Sequence, residues 1–153
     1  MSRTLLLYAP VLAAATFAVA DPAAAQDRKI DHPRLRAALH ELREARAAVQ
    51  AAKDAWPPGH KERALASIQA SIKSIRTILN VEDVENFRGV DRNADYYRRY
   101  ADHPHLRAAL ADLRDARDEL RGAKDDFGGL KDQALDDIDV ASGDIVTLIR
   151  YKK

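Results

Sequence analysis

Two short segments of this chain carry the side chains best suited to metal chemistry. Asp31-His32 and Asp102-His103-Pro104-His105 set imidazoles beside carboxylates, a donor set that suits zinc, copper or nickel. Neither segment holds the (i, i+4) histidine pair that would put two ligands on one helix face. A metal site built from Asp31, His32, Asp102, His103 and His105 therefore requires the two segments to meet in space. The plainer reading makes each a helix start. There the aspartate accepts a hydrogen bond from free first-turn N–H groups, and proline fills a position whose donor is not needed. A second cluster, Tyr96-Tyr97-Arg98-Arg99-Tyr100, holds three of the five tyrosines. It offers an aromatic and cationic surface for a protein partner, or else tyrosines that cover a core end with their hydroxyls in water. His40 and His60 read as solvent-exposed residues.

Other chemistries are excluded by what is missing from the sequence. There is no cysteine, which removes disulfides, thiol catalysis and covalent c-type haem. The sole methionine is Met1, so Met/His haem ligation is excluded. No Glu-x-x-His motif is present to build a ferritin-like di-iron centre. Phosphate loops, Gly-x-Ser-x-Gly elbows and glycine-rich dinucleotide turns are likewise missing. The run Asp136-Asp137-Ile138-Asp139 lacks the glycine and terminal glutamate of a calcium loop and lies within helical periodicity. These absences point away from an enzyme, and no cofactor is expected outside the zinc or copper alternative.

Both histidine segments belong to a larger duplication. Residues 31–54 and 102–125, 71 positions apart, share 15 identities in 24. With one residue of slippage, Leu65, Ile68, Ile75 and Leu79 then fall on Leu135, Ile138, Ile145 and Ile149. Each copy is one supersecondary unit that must bury its apolar face against the other.

The periodicity is helical throughout. Leu35, Ala38, Leu42, Ala45, Val49, Ala52 and Trp56 form one stripe at alternating spacings of three and four; Leu106, Ala109, Leu113, Ala116, Leu120, Ala123 and Phe127 form its repeat. Alanine at every seventh place allows close approach of a neighbouring helix. These first helices are expected to run about 23 residues, near 35 Å at ~1.5 Å per residue. Their terminal aromatics should cap the core at each turn. Trp56-Pro57-Pro58-Gly59 and Phe127-Gly128-Gly129 stop them. The second helices follow Leu65, Ile68, Ile72, Ile75, Leu79 and Leu135, Ile138, Ser142, Ile145, Ile149. The expected fold is all-α, a four-helix bundle built from two homologous antiparallel helical hairpins (31–79 and 102–149) joined by a linker at 80–101. In an up-down-up-down bundle the first helix of each hairpin begins at the same end, which is what the metal alternative needs.

Residues 1–25 read as a signal peptide. Arg3 precedes an uncharged apolar run of 16 residues, Leu5 to Ala20, and Ala23-Ala24-Ala25 or Ala18-Val19-Ala20 offers a cleavage site. The run is shorter than the roughly 20 residues of a membrane span. A periplasmic or secreted protein cut after Ala25 is expected, with no integral membrane segment in the mature chain.

Charge separates the two copies. Residues 31–79 carry nine Lys/Arg and five Asp/Glu, and residues 102–149 carry six and twelve. Opposite balances favour pairing within one chain, hence a monomer, and do not make the single basic face of a nucleic-acid binder.

The tandem His-Pro-x-Leu-Arg-Ala-Ala-Leu motif at 32–39 and 103–110, followed by Asp125-Asp126-Phe127-Gly128-Gly129, resembles repeats in uncharacterised small exported bacterial proteins. That resemblance implies the helical-hairpin fold and brings no activity with it. Trp56-Pro57-Pro58-Gly59 departs from the motif. The functional expectation is a non-enzymatic binding or scaffolding module of the bacterial cell envelope, with a metal-binding or metal-buffering periplasmic protein as the alternative.

Overall fold

The computed structural model describes residues 32–81, 94–100 and 102–151. The expected signal peptide, Asp31 and most of the linker lie outside the described residues. The described chain is all-helical: α1 (Pro33–Ala51), α2 (His60–Leu79), α3 (Ala94–Arg98), α4 (Pro104–Gly122) and α5 (Leu130–Arg150) pack together. Among these residues no helix is long and apolar enough to cross a membrane.

Heptad-spaced apolar residues meet in one core. Leu35, Leu42, Val49, Ile68, Ile72, Ile75, Leu106, Leu113, Leu120, Ile138, Ile145 and Leu148 are fully buried. Each leucine or isoleucine so placed contributes about 1.5–3 kcal/mol over its exposed state. Ala38, Ala45, Ala109 and Ala116 are also fully buried, and their small size is what lets the helix axes approach. In α5 the buried apolar positions are Ala134, Ile138, Ala141, Ile145 and Leu148. The seam there runs through Ala134, Ala141 and Leu148, adjacent in turn to the expected Leu135, Ser142 and Ile149.

The most extensive contacts pair α1 with α4 and α2 with α5; α1 also packs on α2, α4 on α5, and α3 on α4 alone. Both long-range pairs are antiparallel. Arg34, at the start of α1, bonds Glu119 near the end of α4, and a Cβ built on Gly122 would strike the Arg34 guanidinium. In the other pair Ser71 Oγ donates to the carbonyl of Ala134, while His60 meets Asp144. The first helices therefore begin at opposite ends, not at the same end as the metal alternative requires. Leu79 and Pro104 lie at opposite ends of the packed helices.

The helix ends differ from expectation for local reasons. α1 and α4 each run 19 residues, a turn short of the expected length, because Ala52 and Ala123 are extended at ψ 132° and 131°. Lysines from the following helices then take over the exposed carbonyls: Lys61 Nζ donates to Ala52 O, and Lys131 Nζ to Ala123 O at 3.0 Å. Free C-terminal carbonyls need such partners. At the other ends His32 and His103 are the N-cap residues, with no side-chain cap bond, and proline follows each. Asp102 does not cap α4. Its backbone carbonyl instead accepts from Arg107 Nε at 2.8 Å.

Candidate functional site

The two inter-helix turns are built on equivalent residues and end up in different states. Both enter the next helix through a left-handed glycine, Gly59 at φ 86° and Gly129 at φ 85°, a conformation that L side chains resist. At the 123–129 turn, Phe127 packs against the core and meets the His32 ring edge-on at 5.1 Å. The aromatic closes that end, as its position in the stripe predicts. At the 52–59 turn the equivalent Trp56 is 52% exposed and does not cap the core. Pro57 and Pro58 stand there in place of the first glycine of the other copy, and the Trp56–Pro57 peptide is cis.

That open end contains a cleft of about 580 Å³ lined by Lys53, Asp54, Ala55, Trp56, His103, Leu148 and Tyr151, within the roughly 300–1,000 Å³ of small-molecule sites. Three elements supply it: the turn after α1, the N-cap of α4 and the end of α5. His103 Nδ1 lies 2.9 Å from Asp54 Oδ1, and the backbone at His103 is left-handed, φ 48°. Tyr151, just past α5, is 56% exposed. The lining thus joins two broad exposed rings to an ammonium, a carboxylate and an imidazole.

A second polar cluster lies between α2 and α5 at this same end. Asp144 is nearly buried, its side chain 10% exposed. Its Oδ1 lies 2.6 Å from His60 Nδ1 and accepts from Arg63 Nη2 at 2.9 Å, and its Oδ2 accepts from Arg63 Nε at 3.3 Å. Desolvation pushes the Asp144 carboxyl upward, but the hydrogen bonds and charges of Arg63 and His60 outweigh it and hold the group below its ordinary value. The Asp144 hydrogen bond raises Arg63 in turn. In the other copy Leu130, Gln133 and Ser74 stand at the three equivalent places. The cluster is therefore a coordinated departure from the repeat, and His60 is not simply a solvent-exposed residue.

The sequence-predicted metal residues are not brought together. His32 lies against Phe127 at one end, whereas His103 lies against Asp54 at the other, about 28 Å away for a 19-residue helix at ~1.5 Å per residue. Asp102 is exposed beside His103. His105 meets Tyr97 at 4.1 Å between centroids with the rings tilted by 49°, its Nδ1 buried without a partner. Asp31 lies outside the described residues. Among the described residues no three His, Asp or Glu side chains converge to hold a metal ion.

The tyrosine cluster is brought together. Tyr96 meets Tyr97 edge-on at 5.1 Å, Tyr100 lies 6.1 Å from Tyr96, and Arg99 sits 3.8 Å above the Tyr96 ring. Arg98 pairs with Asp95 at 2.7 Å in the open. Since α3 touches α4 alone, these rings rest beside the start of α4 rather than over the end of the core.

In the acidic run, burial and the neighbouring Asp136 charge push the Asp137 carboxyl up, and Asp139 accepts from Arg117 at 3.3 Å. Sequence reasoning missed Asp54, Trp56 and Tyr151 as cleft residues. The Trp-Pro-Pro departure from the repeat was the available signal for Trp56. Comparison with known protein families, characterised proteins and solved structures finds no match for the chain.

Proposed function

We propose that this chain is an exported, non-enzymatic binding or scaffolding module of the bacterial cell envelope, folded as a four-helix bundle of two homologous antiparallel hairpins and working as a monomer. Repetition of local detail supports the duplicated architecture. Lys61 and Lys131 cover the same carbonyls, and Thr77 and Thr147 bond back to Lys73 O and Gly143 O at 3.0 Å. Gly59 and Gly129 adopt the same conformation. The resemblance of the His-Pro-x-Leu-Arg-Ala-Ala-Leu repeats to those of small exported bacterial proteins and the leader-like residues 1–25 support export.

One observation carries the binding reading: of two equivalent turns, one is closed by its aromatic and the other holds its aromatic out beside a cleft. A fold that needed only to be stable would have kept both closed, because an exposed tryptophan forgoes its burial energy.

Photo-crosslinking in cells tests this reading. A benzophenone side chain replaces Ala55 at the open turn or Asp126 at the closed one. The proposal expects a discrete adduct from position 55 that position 126 does not give. The same adducts from both, or none from either, overturn it. Export is checked separately by the N-terminus of the recovered protein, expected at Gln26.

A further inference from the structure

We propose that the cleft at the 52–59 turn takes a neutral glycan, one sugar ring lying between Trp56 and Tyr151 with its hydroxyls held by Asp54, His103 and Lys53. The inference rests on the reading above that this is the binding end. Four features of the lining select the ligand class. The walls are two flat aromatic rings, each more than half exposed, which suit the apolar C–H faces of a pyranose. Lys53 and Asp54 balance in formal charge, and His103 is tied to Asp54 at 2.9 Å, so the lining side chains present no excess of one sign to a charged ligand. The polar groups include both donors and acceptors, matching hydroxyls that do both. Finally, Leu148 is fully buried and leaves little apolar floor, so an aliphatic ligand would find walls but no enclosure.

The closed turn serves as an internal control. Lys124 and Asp125 repeat Lys53 and Asp54 there, and His32 repeats His103. There Phe127 meets the His32 ring and packs against the core instead of standing out. What distinguishes the open end is the outward Trp56 and the tyrosine at position 151, where the first copy has Val81.

Trp56 is the only tryptophan, so its emission reports the cleft directly. The mature chain is titrated with β-1,4-linked N-acetylglucosamine tetrasaccharide, maltotetraose, tetra-alanine and sodium phosphate. At least one tetrasaccharide is expected to shift the emission saturably with a Kd tighter than about 1 mM, while the peptide and phosphate leave it unmoved. Tyr151→Ala and Asp54→Asn should each weaken that binding at least about tenfold, with circular dichroism confirming the fold; Phe127→Leu at the other end should not. Neither sugar shifting the emission overturns the glycan assignment, as does a response to peptide or phosphate instead. A sugar response unchanged in both cleft variants overturns it as well. Should the glycan assignment fail while the adduct at position 55 persists, the binding reading stands and only the ligand class is wrong.

Discussion

Replacing Asp144 by serine, the residue its own repeat carries at position 74, removes the acceptor of three contacts at once. The cost follows from where the partners are left. Arg63 is 57% exposed and regains water, so no cation is stranded. His60 is 23% exposed and loses its closest acceptor. The result should fall between the 0–1 kcal/mol of a surface ion pair and the 3–5 kcal/mol of breaking a buried one, at about 1–2 kcal/mol. The pH dependence has a definite sign. Because the folded state holds the Asp144 carboxyl below its ordinary value, its contribution is fully present above the unfolded value near 3.9 and is lost as pH falls through the lower folded value. Urea titrations of wild type and Asp144→Ser should therefore differ by about 1–2 kcal/mol from pH 7 to 5 and converge below about pH 4. In an Arg63→Gln background the Asp144→Ser effect should shrink by half or more. Equal stability at pH 7, or a gap that persists unchanged at pH 3, would refute the reasoning.

Other perturbations address the packing and the orientation. Ala45→Leu and Ala116→Leu should each cost about 1–3 kcal/mol by overpacking fully buried sites, read by denaturant midpoint. Leu39→Ala should cost more than Leu110→Ala, because Leu39 is buried and Leu110 only half-buried. Gly59→Ala and Gly129→Ala should lose a similar ~1–2 kcal/mol each, since both hold a left-handed backbone with room for a methyl. A short bis-maleimide should join Arg34→Cys to Glu119→Cys and not Arg34→Cys to His105→Cys in this cysteine-free chain; the reverse would restore parallel first helices.

The elements were legible because duplication and heptad spacing report burial. Leu35, Leu42, Ile68, Ile75 and their repeats occupy the core as their periodicity requires. Orientation was not legible, since a long linker permits either a return or a crossing of the bundle and only side-chain contacts such as Arg34–Glu119 decide. Helix ends were misjudged because Ala52-Lys53-Asp54 contains no strong breaker. The exposed carbonyl at the stop is taken by Lys61, a residue of the next helix, although its repetition as Lys131 was visible. Asp102 looked like a cap by type, yet the N-cap position fell one residue later, on His103. The Asp144 cluster joins residues more than 80 positions apart, and no local pattern announces it. Trp56 fits the stripe in spacing, but the prolines that replace glycine at the turn end its part in the core.

Chemical-shift mapping gives the most direct test that one end of this molecule is its binding end. ¹⁵N-labelled protein is mixed with unlabelled extract of the cells that make it, and amide signals are followed residue by residue. Shifts and line broadening confined to residues 53–60, 103–106 and 148–151, with 123–130 unchanged, are the predicted result. Changes centred on the 123–129 turn, spread evenly over the helices or lacking altogether would contradict it.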